Sequence, residues 1–204
     1  MKLFKVVAAG LLLSASYAHA NTIDFLTLAN KSEQGFGNLA SSEFSVIGTK
    51  DGNSAFAYFD SEDAGLGVCG ALTSSNQCNP SSDDNVTSGE YLTFTFFQDT
   101  LLTGLFVNTN HDSSVNYFSG SEGVSLNGNK TSVTTYGSAV DYNKLVTADL
   151  FVAANDSFTL GYDDKQFYVS KMTYEKVTVP EPGTLALLGL GLAGLGLARR
   201  RKQA

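Results

Sequence analysis

Two histidines and two cysteines are all the imidazole and thiol chemistry that this 204-residue chain offers. His19 falls in an N-terminal stretch that reads as removed on export, so a Ser-His-Asp or Cys-His mechanism would have to use His111. His111 precedes Asp112 in a polar turn after a strand-like run, where a solvated loop histidine is the expected role rather than a general base. Cys69 and Cys78 enclose a short polar stretch, and in an exported chain they read as a disulfide. Closing a loop of ten residues contributes about 2.7 kcal/mol in the chain-entropy model. Two cysteines are too few for a structural zinc site.

Carboxylates are plentiful and unevenly spread. Asp60, Glu62 and Asp63 stand in one turn-rich stretch and Asp83 and Asp84 in another, on either side of the cysteine loop. Oxygen-only ligands on loops suit Ca²⁺, so these five are the candidate ligands for such a site. Neither stretch has EF-hand spacing, and solvated turns are the favoured reading. A glycosidase needs two carboxylates at a set separation, and no spacing singles out a pair. The expectation is therefore a non-enzymatic chain with no cofactor.

The elements that must position these residues are strands. Period-2 alternation at 92–96 and 158–162 buries one face of each segment. Further strands are predicted at 23–28, 44–48, 55–59, 101–108, 115–118, 133–136, 145–152 and 167–174. In the last of these, Phe167 and Val169 share one parity while Met172 and Tyr174 share the other, which predicts a bulge near Ser170 and Lys171. Asn127-Gly128-Asn129 predicts a tight hairpin. With no convincing helical segment in the body, the predicted fold is all-β, an antiparallel, jelly-roll-like β-sandwich.

Twenty glycines, few basic residues and no Trp agree with short strands joined by turns. Residues 21–179 hold 7 Lys against 19 Asp and Glu, a net of −12. A body that acidic repels phosphate backbones and anionic lipid, which argues against nucleic acid as a partner.

The two ends differ from the body. Lys2 and Lys5, an apolar run at 6–13, and Ala18-His19-Ala20 have the three-part order of a secretory signal, predicting cleavage after Ala20 by signal peptidase once the chain enters the translocon. At the other end Pro180-Glu181-Pro182 precedes fifteen uncharged residues, 184–198, and then Arg199, Arg200, Arg201 and Lys202. Fifteen helical residues reach about 22 Å, short of the roughly 30 Å hydrocarbon core. Every position from 185 to 198 is Leu, Gly or Ala, which lacks the polar face of a core helix and the charged face of an interfacial one. A short transmembrane helix with a cytoplasmic basic stop fits best. The domain layout predicted is thus 1–20 signal peptide, 21–178 exported domain and 179–202 sorting and anchor segment.

In this order of motif, helix and basic cluster, residues 179–202 resemble the PEP-CTERM sorting domain of bacterial surface proteins processed by exosortase. The resemblance implies that Pro180, Glu181 and Pro182 form the recognition element, that the apolar helix holds a precursor transiently in the inner membrane, and that Arg199 to Lys202 stop transfer. It implies a Gram-negative source and a final place at the cell surface or in the extracellular matrix. Residues 62–90 are also similar to the bodies of other such proteins, which brings no assigned activity. A structural or adhesive body is the leading expectation, followed by a carbohydrate-binding module, with or without Ca²⁺, for exopolysaccharide. A secreted hydrolase comes third. Tyr91, Tyr117 and Tyr136 are the aromatic candidates for sugar contact, and each is equally suited to core or sheet surface.

Overall fold

Alternating hydrophobicity demands that each strand turn one face to a shared interior, and the computed structural model shows how the chain meets that demand. The structure describes residues 20–111, 114–115, 118, 122–135, 144–147, 149–177 and 189. Residues Ala18–Val177 form one compact unit. It begins with β1 (Ala20–Asp24), α1 (Phe25–Lys31), β2 (Gln34–Phe36) and β3 (Leu39–Ala40), followed by β4 (Phe44–Lys50), β5 (Asn53–Asp60) and β6 (Gly65–Cys69). After the cysteine loop come β7 (Glu90–Phe96), β8 (Thr100–Asn108), β9 (Asn110–His111), β10 (Ser114–Val115), β11 (Gly123–Leu126) and β12 (Asn129–Ser132). The last five strands are β13 (Thr134–Thr135), β14 (Lys144–Thr147), β15 (Leu150–Val152), β16 (Ser157–Tyr162) and β17 (Tyr168–Lys176).

Fifteen strands make one antiparallel, barrel-like sheet whose main path is β12-β11-β16-β7-β4-β5-β6-β17-β8-β14-β13. β5 joins its two halves, because Asn53 to Ala55 pair with β4 while Phe56 to Asp60 pair with β6. A strand that changes partners along its length lets a sheet fold over a single core. The all-β antiparallel expectation holds, and the sheet runs continuously through β5 where the sequence predicts a sandwich.

The core is aromatic. Phe94 on β7 lies opposite Phe158 on β16 and stacks on it at 4.9 Å, while Phe96 meets Tyr174 of β17 edge-on at 5.4 Å, tying one half of the sheet to the other. α1 contributes Phe25, fully buried with its ring 6.4 Å from both Phe59 and Phe94. Burying a side chain of this size contributes about 1.5–3 kcal/mol. A smaller cluster of Tyr58, Cys69 and Cys78, with Phe56 and Leu72 against it, packs on the other side of β5 and β6.

The predicted bulge is present: Val169 pairs with Val107 and Lys171 with Phe106, leaving Ser170 out of register. The predicted hairpin is present too, with Asn127 and Gly128 both at positive φ between β11 and β12. Three expectations need correction. The strand predicted at 23–28 stops at Asp24, whose side chain accepts from the Thr27 backbone N–H at 2.9 Å and caps α1. Ser32 closes that helix by donating its backbone N–H to Ala29, so the body does contain one. The strand predicted at 145–152 is two, β14 and β15, separated at Asp149 with its φ of 61°.

Candidate functional site

Pro180, Glu181, Pro182, Arg199, Arg200, Arg201 and Lys202 lie outside the described residues, as do Ala18 and, apart from Gly189, the apolar stretches at both ends. Among the described residues no helix is long and apolar enough to cross a membrane. The structure does place the point where the C-terminal segment departs. Val177 donates its backbone N–H to Asp99 at 2.8 Å just after β17 ends, and only Thr178 and Val179 separate it from Pro180. At the other end Ala20 opens β1 opposite Glu175, so the predicted cleavage point falls at the first strand.

The cysteine loop is a closed, tied-down structure. Cys69 and Cys78 form the disulfide, with a Cα–Cα distance of 5.7 Å. Asn76 donates its side-chain amide to the Gly35 carbonyl at 2.8 Å and Gln77 donates to the Glu33 carbonyl at 2.9 Å, fastening the loop to β2 and the residues before it. Lys50 pairs with Asp83 and, at 2.9 Å, with Glu90. Burial pushes the Glu90 carboxyl up, against the pull of Lys50 and the Thr87 N–H. Burial pushes the Lys50 ammonium down, but the bonds to Asp83 and Glu90 outweigh it and hold it above its ordinary value.

The five acidic candidates do not form one group: Asp60 and Asp84 share the surroundings of Tyr168, while Asp63 and Asp83 turn to other partners. Asp60 and Asp84 are buried, and Asp84 accepts from the Tyr168 hydroxyl at 2.7 Å. Burial, with the charges of Asp84 and Asp60 beside it, pushes the Tyr168 hydroxyl far above its usual range. Asp63 instead accepts from Asn30 at 2.8 Å, Glu62 is exposed, and Asp83 turns to Lys50 and to the Gly70 N–H at 3.1 Å. Among the described residues no group of three or more His, Cys, Asp or Glu is placed to hold a metal ion. Solvated turns are therefore the wrong description of Asp60 and Asp84. The segment carrying Asp84 crosses β6 so closely that a Cβ on Gly67 would lie 2.0 Å from the Asp84 carbonyl oxygen. His111 sits in β9, paired in register with Ser114 rather than in a turn. Tyr117 and Tyr136 lie outside the described residues.

A feature the sequence reading missed lies on the outer side of β4, β7, β16 and β11. Inward positions such as Val46, Leu92, Phe94, Phe158 and Leu160 are buried, and the residues between them face outward. Register aligns these outward residues in rows across the strands. Ser45, Thr95 and Ser157 form one row, Ile47, Thr93 and Thr159 the next, and Thr49, Tyr91, Gly161 and Ser125 the third. None of the ten is charged. The third row borders a groove of about 430 Å³, lined by Tyr91, Tyr162, Ser125, Thr159 and Gly161 and also by Glu90, whose carboxylate pairs with Lys50. Tyr162 also lines a second, more polar depression of about 340 Å³, beside Asp164 and Lys165. The available signal was Gly161, a strand position with no side chain opposite a tyrosine.

Comparison with known families matches residues 178–202 to the PEP-CTERM protein-sorting motif. No curated protein and no solved structure matches the chain. The chain therefore ends in a sorting signal that implies export, a membrane-anchored precursor and exosortase as the processing partner.

Proposed function

We propose that this chain is the precursor of a non-enzymatic surface or matrix protein of a Gram-negative bacterium, delivered by the secretion translocon and signal peptidase and then released by exosortase. The match at residues 178–202 carries the reading. Two prolines disfavour helix within the motif, which suits a segment an enzyme must read. The short span holds the chain, and Arg199 to Lys202 keep its end on the cytoplasmic side. The body is structural or adhesive, and the engagement of Asp84 with Tyr168, of Asp63 with Asn30 and of Asp83 with Lys50 supports a role that uses no metal.

Exchange of Glu181→Ala, or of all three motif residues, tests the reading in the native host. Fractionation should find the unprocessed form accumulating in the inner membrane, because helix and stop remain while recognition is lost. Deleting residues 199–202 should weaken retention before processing. Wild-type processing in the triple variant would overturn the role of the motif and leave an ordinary anchor.

A further inference from the structure

The outer face of β4, β7, β16 and β11 has no charge in its three rows, on a body whose net charge is −12. Hydroxyls replace the charges, and two of them, Thr95 and Ser157, already bond to each other across strands at 2.8 Å. Eight of the ten outward residues carry a hydroxyl, the exceptions being Gly161 and Ile47, an apolar side chain left 43% exposed in the middle row. Outward positions recur at about twice the 3.3 Å rise along a strand and at about 4.8 Å across strands, so the face presents an array of groups that both donate and accept around that one apolar residue. At one end the grid meets the groove at Tyr91. There Gly161 supplies no side chain, and a Cβ in its place would stand 3.0 Å from the Tyr91 Cβ.

We propose that this face binds a neutral polysaccharide, with Tyr91 stacking on a sugar ring and the Ser and Thr rows bonding its hydroxyls. A pyranose ring has an apolar C–H face, which the half-buried ring of Tyr91 at the groove edge can cover, and a rim of hydroxyls, which serine and threonine match as donors and acceptors. Charge selects the class of glycan. An anionic chain would approach a body with an excess of twelve negative charges, and the face offers it no cation within its rows. A second copy of the chain is a poorer occupant, since stacking two hydroxyl grids without matched geometry leaves buried polar groups unsatisfied. The proposal deepens the matrix role of the body, and it is read by binding in solution, independently of processing.

The test uses the full chain in detergent, with affinity electrophoresis through gels containing dextran, β-glucan, mannan or galactan and, separately, alginate. At least one neutral polysaccharide should retard the protein and alginate should not. Tyr91→Ala should weaken that retardation tenfold or more, and Gly161→Ala, which adds a methyl to the groove floor, should weaken it as well. Thr103→Ala, on β8 where the hydroxyl donates to Thr173, should leave it unchanged. If Tyr91→Ala melts below wild type, Thr93→Lys, which places a long side chain in the middle row, decides instead. Retardation by none of the neutral polysaccharides, equal retardation by alginate, or an undiminished response in the deciding variant would each overturn the proposal. So would self-association through this face without glycan binding.

Discussion

Glu43, just before β4, accepts from the Tyr174 hydroxyl and pairs with Lys176 at 2.5 Å. The bond from Lys176 and then that from Tyr174 hold its carboxyl below the ordinary value of 4.5, with burial opposing. A carboxyl lowered in the folded state adds stability that is complete above the unfolded value and vanishes as pH falls through the folded one. Melting temperature measured from about pH 6 down to about pH 2 should therefore fall more steeply in the wild type than in Glu43→Gln. Equal slopes would contradict the assignment. Glu90 has the opposite sign: burial raises its carboxyl, so its ionisation removes stability as pH rises from the ordinary value through the raised one. Neither environment was legible in the sequence, because Tyr174 lies 131 residues from Glu43, and Glu90 meets Lys50 only through the pairing of β4 with β7. The disulfide was legible because its partners are 9 residues apart in a chain bound for an oxidising compartment.

Elements with a local code were readable, and those made by tertiary cover were not. The 127–128 turn carries residues that tolerate positive φ, and the change of parity at Ser170 is written in the side chains of β17 itself. β6 was missed because Gly65-Leu66-Gly67-Val68-Cys69 does not alternate: all five residues are buried, since both faces of this strand are covered. α1 was missed because Phe25 and Ala29, its buried pair, continue an apolar run that Ile23 begins. The cover over β6 depends on Gly67 more than on any contact the sequence displays. Gly67→Ala sets a methyl against the Asp84 backbone at 2.0 Å, and the crossing segment must move. Its cost by urea unfolding should reach or exceed the roughly 1–3 kcal/mol of ordinary overpacking. A loss below about 0.5 kcal/mol, the usual size of a surface change, would show that the crossing is not packed as described.

For the whole molecule, the information about destination sits at the ends and the information about binding sits on a folded surface. A sorting signal is linear, so motif, apolar segment and basic cluster could be read in order from residues 179–202, and the family match falls on the same stretch. The glycan face is not linear. Its third row takes Thr49, Tyr91, Gly161 and Ser125 from four strands, and only their register puts them side by side. Both ends of the folded body converge on β17, where Asn21 of β1 pairs with Tyr174 and from which the chain leaves at Val177. Cleavage near Pro180-Glu181-Pro182 would therefore leave the sheet intact while removing the helix. The most direct measurement is the intact mass, with C-terminal peptides, of the surface form purified from the native host. The surface form should start at Asn21, end near residue 180 and lack residues 185–198. A mature surface form that retains those apolar residues would contradict it.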